Sequence, residues 1–412
     1  MKAPFQGILA LCGIWILIAP ANPARGADGS PPAAPRRGGT LRLATEDDPF
    51  SLDPFRLFSN HAAALSFLIF DSLVEHGLNG TLVPALAEEL PSVTEDGLTY
   101  TFRLRSGVRF SNGRAMTAQD VVYSFERGCD PTVAANADAF FRNIRGSVAF
   151  GAARSREAGE GIVTRGDPML RRRTPTSVDG LRALDARTFE LRLESPDLTA
   201  PGRVAAIGIV PMEEVSRPDR DFGTRPVGTG AFLLKEWRRG ARIRLERNPG
   251  GFRSHRVHLD AVEVLMNMDL PTQAMMFDRG EIDLMFFLAE PDVHRWRKDP
   301  RMRDRFVTFK GSCPYYVALN CELPPFTNRL VRQALNHAVN RDAIVRRLLN
   351  RAVAAQGPLP ASMRGYDPGL KGYAYDPARA RLLLAEAGFP DGFETKLWCM
   401  PGDKIALAVQ ED

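Results

Sequence analysis

At 412 residues the chain is too long for one compact core, so two or three lobes are the natural expectation. Its 44% apolar and 25% charged residues are the balance of a soluble globular protein. The net charge of +5 does not describe a nucleic-acid surface: the one dense cluster, Arg171-Arg172-Arg173 with Arg165 and Arg182 nearby, carries no aromatics and reads as a solvated Gly/Pro-rich loop.

The first 26 residues read as a signal peptide. Lys2 is the single charge before an apolar run, Ile8 to Ala19, that is too short to span a bilayer comfortably. Ala19-Pro20-Ala21 and Ala24-Arg25-Gly26 are both candidate cleavage sites. Cys12 follows Leu11, where a lipoprotein signal wants a small residue, which argues against a lipid anchor. No later apolar run is long enough to cross a membrane, so a soluble, exported product is expected.

A Pro/Ala/Gly-rich leader over 27–37 is expected to be disordered. Thr40–Ala44 reads as a first strand, and Asn60 as the cap of a helix over Ala62–Val74, with Leu65, Leu68, Ile69 and Leu73 on one face. Leu98, Tyr100, Phe102 and Leu104 then alternate with polar residues, the period of a half-buried strand. Ser111-Asn112-Gly113 supplies a turn. Thr117, with Asp120 three residues on, opens a helix faced by Val121, Val122 and Phe125.

Gly146 to Gly180 shows no periodicity and reads as a mobile insertion or a surface loop system. Strands resume at Thr188–Leu193 and Arg242–Arg247. Thr327 caps a helix with Val331, Ala334, Leu335, Ala338 and Val339 in one stripe. Asp376, Pro377 and Gly388 bracket another. This irregular mixture of strands and helices suggests α/β or α+β lobes rather than a barrel.

Catalytic signatures are missing: no GxSxG, HExxH, CxxC or GxxxxGK occurs. Gly228-Thr229-Gly230 has two of the three glycines of a nucleotide loop, and a tight turn is the favoured reading. His255 and His258 have metal-ligand spacing but no Cys or carboxylate pair beside them, so no metal or cofactor is expected. Cys129, Cys313, Cys321 and Cys399 follow the apolar run. Cys313 and Cys321 lie close enough in sequence to pair, and buried free thiols are an equal alternative.

Several segments share a recognisable wording. They are Ser51-Leu52-Asp53-Pro54; Phe70-Asp71-Ser72-Leu73-Val74 followed by Pro84-Ala85-Leu86-Ala87-Glu88; and the whole of 96–131. Further on come Pro226-Val227-Gly228-Thr229-Gly230-Ala231-Phe232, Arg279-Gly280-Glu281-Ile282-Asp283, 333–341 and 385–390. In this order they resemble the bacterial extracellular solute-binding proteins of family 5, the dipeptide-, oligopeptide- and nickel-binding proteins of ABC importers. The resemblance covers about Gly38 to the last residue.

That resemblance implies an α/β, bilobal, periplasmic-binding-protein-like clamshell of type II, with the extra lobe of the peptide-binding class. Lobe I would take 38–70 and 198–290, the extra lobe 71–197, and lobe II 291–412. Family members run on past this point, so lobe II is expected to be incomplete, with the polypeptide truncated at its C-terminus. The implied function is capture of a peptide or other small solute and delivery to membrane permease subunits, in the periplasm, as a monomer and not as an enzyme. A nickel chelate, haem, an opine or a sugar is the alternative cargo, and a truncated product without ligand binding is a further alternative.

Matched to the family, Phe58, Asn60 and His61 fall where the pocket takes contacts from the first lobe. Tyr315 and Tyr316 resemble the tyrosine-rich strand that opens the second lobe, and Phe140 and Phe141 lie near a pocket tyrosine. Plain core packing is the competing role for each. Two departures stand out. The W-x-x-D-Y-type segment that anchors a ligand's amino group would lie beyond Asp412, and Gly250-Gly251 replaces an aromatic pair before Phe252.

Overall fold

The computed structural model describes residues 37–411, except 78–80, 135–138, 159–175, 220, 303–304, 307–313, 348–351, 362, 364 and 400–403. The signal peptide, nearly all of the leader, the Arg171-Arg172-Arg173 cluster and Cys313 lie outside these residues. The protein divides into two compact units between Phe287 and Leu288.

The first unit begins with β1 (Thr40–Ala44), α1 (Asn60–Ile69), the hairpin β2 (Val74–His76) and β3 (Leu82–Pro84), then β4 (Ser92–Val93) and β5 (Thr99–Arg103). It continues with α2 (Ala118–Cys129), α3 (Ala139–Arg142), α4 (Ser147–Glu157), β6 (Leu181–Asp185) and β7 (Thr188–Arg192). After α5 (Ala200–Val204) and α6 (Met212–Val215) come β8 (Phe232–Arg238), β9 (Arg242–Arg247), β10 (Ala261–Leu265) and α7 (Leu270–Asp278).

These strands form two four-stranded sheets. One has the order β1-β10-β9-β8, with β1 parallel to β10 and the other pairs antiparallel. The other has the order β4-β5-β7-β6 and is antiparallel throughout. The alternation read from the sequence sets its buried face: Tyr100 stands opposite Leu191 and Phe102 opposite Phe189. Helix α2 covers this face, bringing the Phe125 ring to 5.0 Å from that of Phe189.

Helix α2 starts as its capping pattern requires. The Asp120 carboxylate accepts from the Thr117 backbone N–H at 2.8 Å and from its hydroxyl at 3.1 Å, and it also pairs with Arg114. Gly128, near the end of this helix, makes room for Phe141: a Cβ there would lie 2.1 Å from the ring. At the opposite face Arg127 reaches Asp53 of the Ser51-Leu52-Asp53-Pro54 segment through two hydrogen bonds of 2.9 and 2.7 Å, both side chains being buried. Both sheets share one continuous hydrophobic core.

Two elements of this unit differ from expectation. Helix α1 is capped by Ser59, whose hydroxyl accepts from Ala62 N–H at 3.2 Å, and it stops at Ile69 rather than Val74. The backbone turns extended at Phe70 so that the Leu73 carbonyl can accept from Ala85 and Ala87. Helix α4 occupies part of the stretch that shows no periodicity. Phe150 is its one large buried side chain, and Ser147, Gly151, Ala153 and Ser155 complete the inward face, so no apolar stripe marks it.

The second unit carries α8 (Glu290–Lys298), α9 (Arg329–Ala338), α10 (Arg341–Arg347), α11 (Pro377–Glu386) and α12 (Lys404–Glu411). Helices α9 and α11 bury Ala334, Ala380 and Leu383 against each other, flanked by Leu330, Ala338 and Leu384. Asn328, one residue later than expected, caps α9 by accepting from Leu330 N–H at 2.9 Å. Asp376 caps α11, and Gly388 beyond its end has a φ of +90°. Among the described residues of this unit no strand forms, so Tyr315 and Tyr316 lie outside any sheet.

Candidate functional site

The richest surface of the first unit is built around the loop from Thr45 to Phe58. Three acids, Glu46, Asp47 and Asp48, come shortly after β1, and two of them hold structure. Asp48 accepts from Trp237 Nε1 at 3.0 Å and from Gly240 N–H at 2.8 Å, and pairs with Arg239. The Arg239 guanidinium, stacked 3.8 Å from the Trp237 ring centroid, donates to the carbonyls of Pro49 and Phe50. The turn between β8 and β9, made possible by the positive φ of Gly240 (+70°), therefore pins the loop from outside.

The pinned loop presents aromatic surface. Phe50 and Phe58 are 72% and 60% exposed and meet edge to face, with ring centroids 6.2 Å apart. Asn60 opens α1 beside them. His61, the next residue, places Nδ1 2.6 Å from Asp47 Oδ1 and its ring at right angles to Phe287, 5.4 Å away. Behind His61 a cavity of about 190 Å³ lies between α1 and the sheet face of β1 and β10. Its wall is largely apolar, with Leu41, Leu43, Leu65, Leu68, Val262 and Phe286 among its residues, and His61 and His258 are its titratable groups.

Of the residues singled out from sequence, Phe58, Asn60 and His61 are thus brought together on this surface. Tyr315 and Tyr316 are 75% and 71% exposed, in the second unit. Phe140 is 2% exposed and belongs to the core of the first unit, and Phe141 packs on it with centroids 5.5 Å apart, against Gly128 of α2. Core packing thus accounts for both phenylalanines. Asp47, Asp48, Phe50, Trp237, Arg239 and Phe287 were not singled out. For Asp47 and Asp48 the run of three acids shortly after β1 was the available signal, whereas the clamp from residues 237–240 is a contact across nearly two hundred residues.

The Gly228-Thr229-Gly230 element is a close-packed turn. A Cβ at Gly228 would fall 2.1 Å from the Ile69 carbonyl oxygen, and one at Gly230 2.4 Å from the Ile69 carbonyl carbon. Gly230 N–H donates to Ile69 O at 2.8 Å, and the Thr229 hydroxyl to Asp71 at 2.9 Å, so the turn's polar groups are spent inside the fold. Burial pushes the Asp71 carboxyl above its ordinary range, while Arg253 and the Thr229 hydroxyl pull it the other way. Burial likewise pushes the Cys129 thiol up, which leaves it a poor nucleophile. Among the described residues no three His, Cys, Asp or Glu side chains gather as a metal site, and no helix is long and apolar enough to cross a membrane.

Comparison with known proteins defines the class. Residues 81–411 match the family described as "Bacterial extracellular solute-binding proteins, family 5 Middle". The chain belongs to this family. Among curated relatives it is 30% identical to "Heme-binding protein A" of Haemophilus influenzae, covering 82% of this chain and 60% of that protein. It is 29% identical to the "Dipeptide-binding protein" of Escherichia coli, covering 90% and 67%.

Among solved structures, "Clavulanic acid biosynthesis oligopeptide binding protein 2" superposes with a TM-score of 0.75 at 25% identity, over 91% of this chain and 69% of that one. The periplasmic binding protein DppA from Helicobacter pylori, solved with the peptide STSA, gives 0.65 at 26% identity, over 87% and 67%. The fold is therefore the mixed α/β fold of the periplasmic binding proteins. The chain spans about 60 to 67% of the length of these curated relatives.

Proposed function

We propose that the chain is the exported solute-capturing component of an ABC importer, and that it takes up peptides or similar small solutes and hands them, unaltered, to a membrane permease. The family match over 81–411 carries this reading. Relatives and structural neighbours named for dipeptides and oligopeptides support peptide as the cargo. In this reading Phe58, Asn60 and His61 contact the ligand from the first unit, and Tyr315 and Tyr316 from the second. Such a binder holds a peptide mainly through its backbone groups, with aromatic walls adding contact area at small entropic cost. Binding favours one arrangement of the two units over another, and that arrangement docks on the permease as a monomer.

Haem is the second reading, favoured by the 30% identity to a haem-binding relative. Isothermal titration of the full chain with a pool of tri- and tetrapeptides, and separately with haem, tests both. Peptide binding with a dissociation constant on the order of micromolar or tighter is expected. Heat from haem alone would reassign the cargo, and heat from neither would overturn the reading.

A further inference from the structure

His61 stands where the first unit ends. Its ring, in the first turn of α1, is largely buried, and its Nδ1 lies 2.6 Å from an oxygen of Asp47, so that nitrogen carries a proton in either charge state. Phe287 stands perpendicular to the ring at 5.4 Å, and Phe286 is tilted at 6.3 Å. The next residue, Leu288, belongs to the second unit. One imidazole is thus packed on the last two residues before the backbone passes from one unit to the other.

We propose that His61 is a pH-dependent latch on this crossover. Taking up a second proton, at Nε2, it ties Phe286 and Phe287 to the start of α1 and to the Asp47 loop; losing that proton loosens them. Two contacts strengthen together. The hydrogen bond to Asp47, already charge-assisted by the carboxylate, becomes a full ion pair and gains direct attraction between opposite charges. The Phe287 ring centroid, 5.4 Å from that of the imidazole, lies within the range over which a cation and a ring attract. Imidazoles ordinarily change charge near about pH 6.5, within the range an exported protein meets.

The other charged groups nearby leave Asp47 as the deciding partner. Asp48 is committed to Trp237, Arg239 and Gly240, and Glu46 is exposed. Arg42 of β1 is closed on Asp283 at 2.9 Å. His258 lines the same cavity, and its Nδ1 has no hydrogen-bond partner, so a charge there would oppose one on His61. Resting on the proposed function, the latch would slow rearrangement of the two units in acid.

Amide hydrogen exchange of peptides spanning 284–288, corrected for intrinsic rates and measured on the full chain at pH 5.5 and 7.5 without ligand, tests the latch. Protection about fivefold greater at pH 5.5 is expected in the parent and in His258→Gln. His61→Gln keeps a group able to donate to Asp47 but cannot charge, and should show equal protection at both values. Asp47→Asn should shrink the difference and confirms the pair should the His61 variant fail to fold. Equal protection in the parent, or a pH dependence that survives His61→Gln, overturns the proposal. No ligand enters the experiment, so its failure leaves the binding function standing.

Discussion

The buried pair between Arg127 and Asp53 shows what single residues do in this fold. Both charges are out of water, and their desolvation is offset only because the guanidinium meets the carboxylate through two hydrogen bonds, with Phe55 stacked 5.0 Å from its centre. Arg127→Met would leave Asp53 buried without its partner and should cost about 3–5 kcal/mol of stability. Urea denaturation checks this, and a loss below about 1 kcal/mol, the worth of an exposed pair, would contradict it.

Asp71 is a buried carboxyl that burial pushes above its ordinary range. Its folded-state value is raised above the unfolded one, so its contribution to stability is present in full below the ordinary carboxylate range and is lost as pH rises through the raised value. Asp71→Asn abolishes that titration. Relative to the parent, the variant should gain stability as pH rises above the ordinary carboxylate range, about pH 4, read from paired thermal melts. Parallel profiles would count against the assignment. Neither pairing was legible in the sequence, because Asp53 and Arg127 are 74 residues apart and Asp71 and Thr229 are 158 apart. Periodicity reports which face of an element is buried, not which distant charge meets it.

At the scale of elements, the sequence was most legible where local chemistry and burial agree. Strand β1, the alternation leading into β5, the capping of α2 by Thr117 and Asp120, and the Asp376–Pro377–Gly388 bracket of α11 all follow from side chains within a few residues of one another. Legibility failed in two ways. Helix α4 buries mostly small side chains, which leave no apolar stripe to find. Helix α1 ends five residues early because tertiary hydrogen bonds to Leu73 and Asp71 claim the residues that helical periodicity would have continued. Of the candidate site, Phe58, Asn60 and His61 could be named from a motif, whereas the clamp formed by Trp237, Arg239 and Gly240 is a product of folding.

The two units differ in what holds them. The first has a core shared by two sheets and several helices, while in the second a small cluster joins α9 and α11 and other side chains, among them Val293 and Trp296 of α8, are buried apart from it. Of the residues proposed for ligand contact, Phe58, Asn60 and His61 lie in the first unit, and Tyr315 and Tyr316, both exposed, lie in the second. As a member of a solute-binding family, the protein is proposed to hold a solute and pass it on unaltered. Native mass spectrometry of the full-length protein incubated with a defined peptide pool, followed by sequencing of what is released, addresses that claim most directly. One peptide per protein molecule, recovered with its sequence intact, is the expected result; no adduct, or peptides returned cleaved, would contradict it.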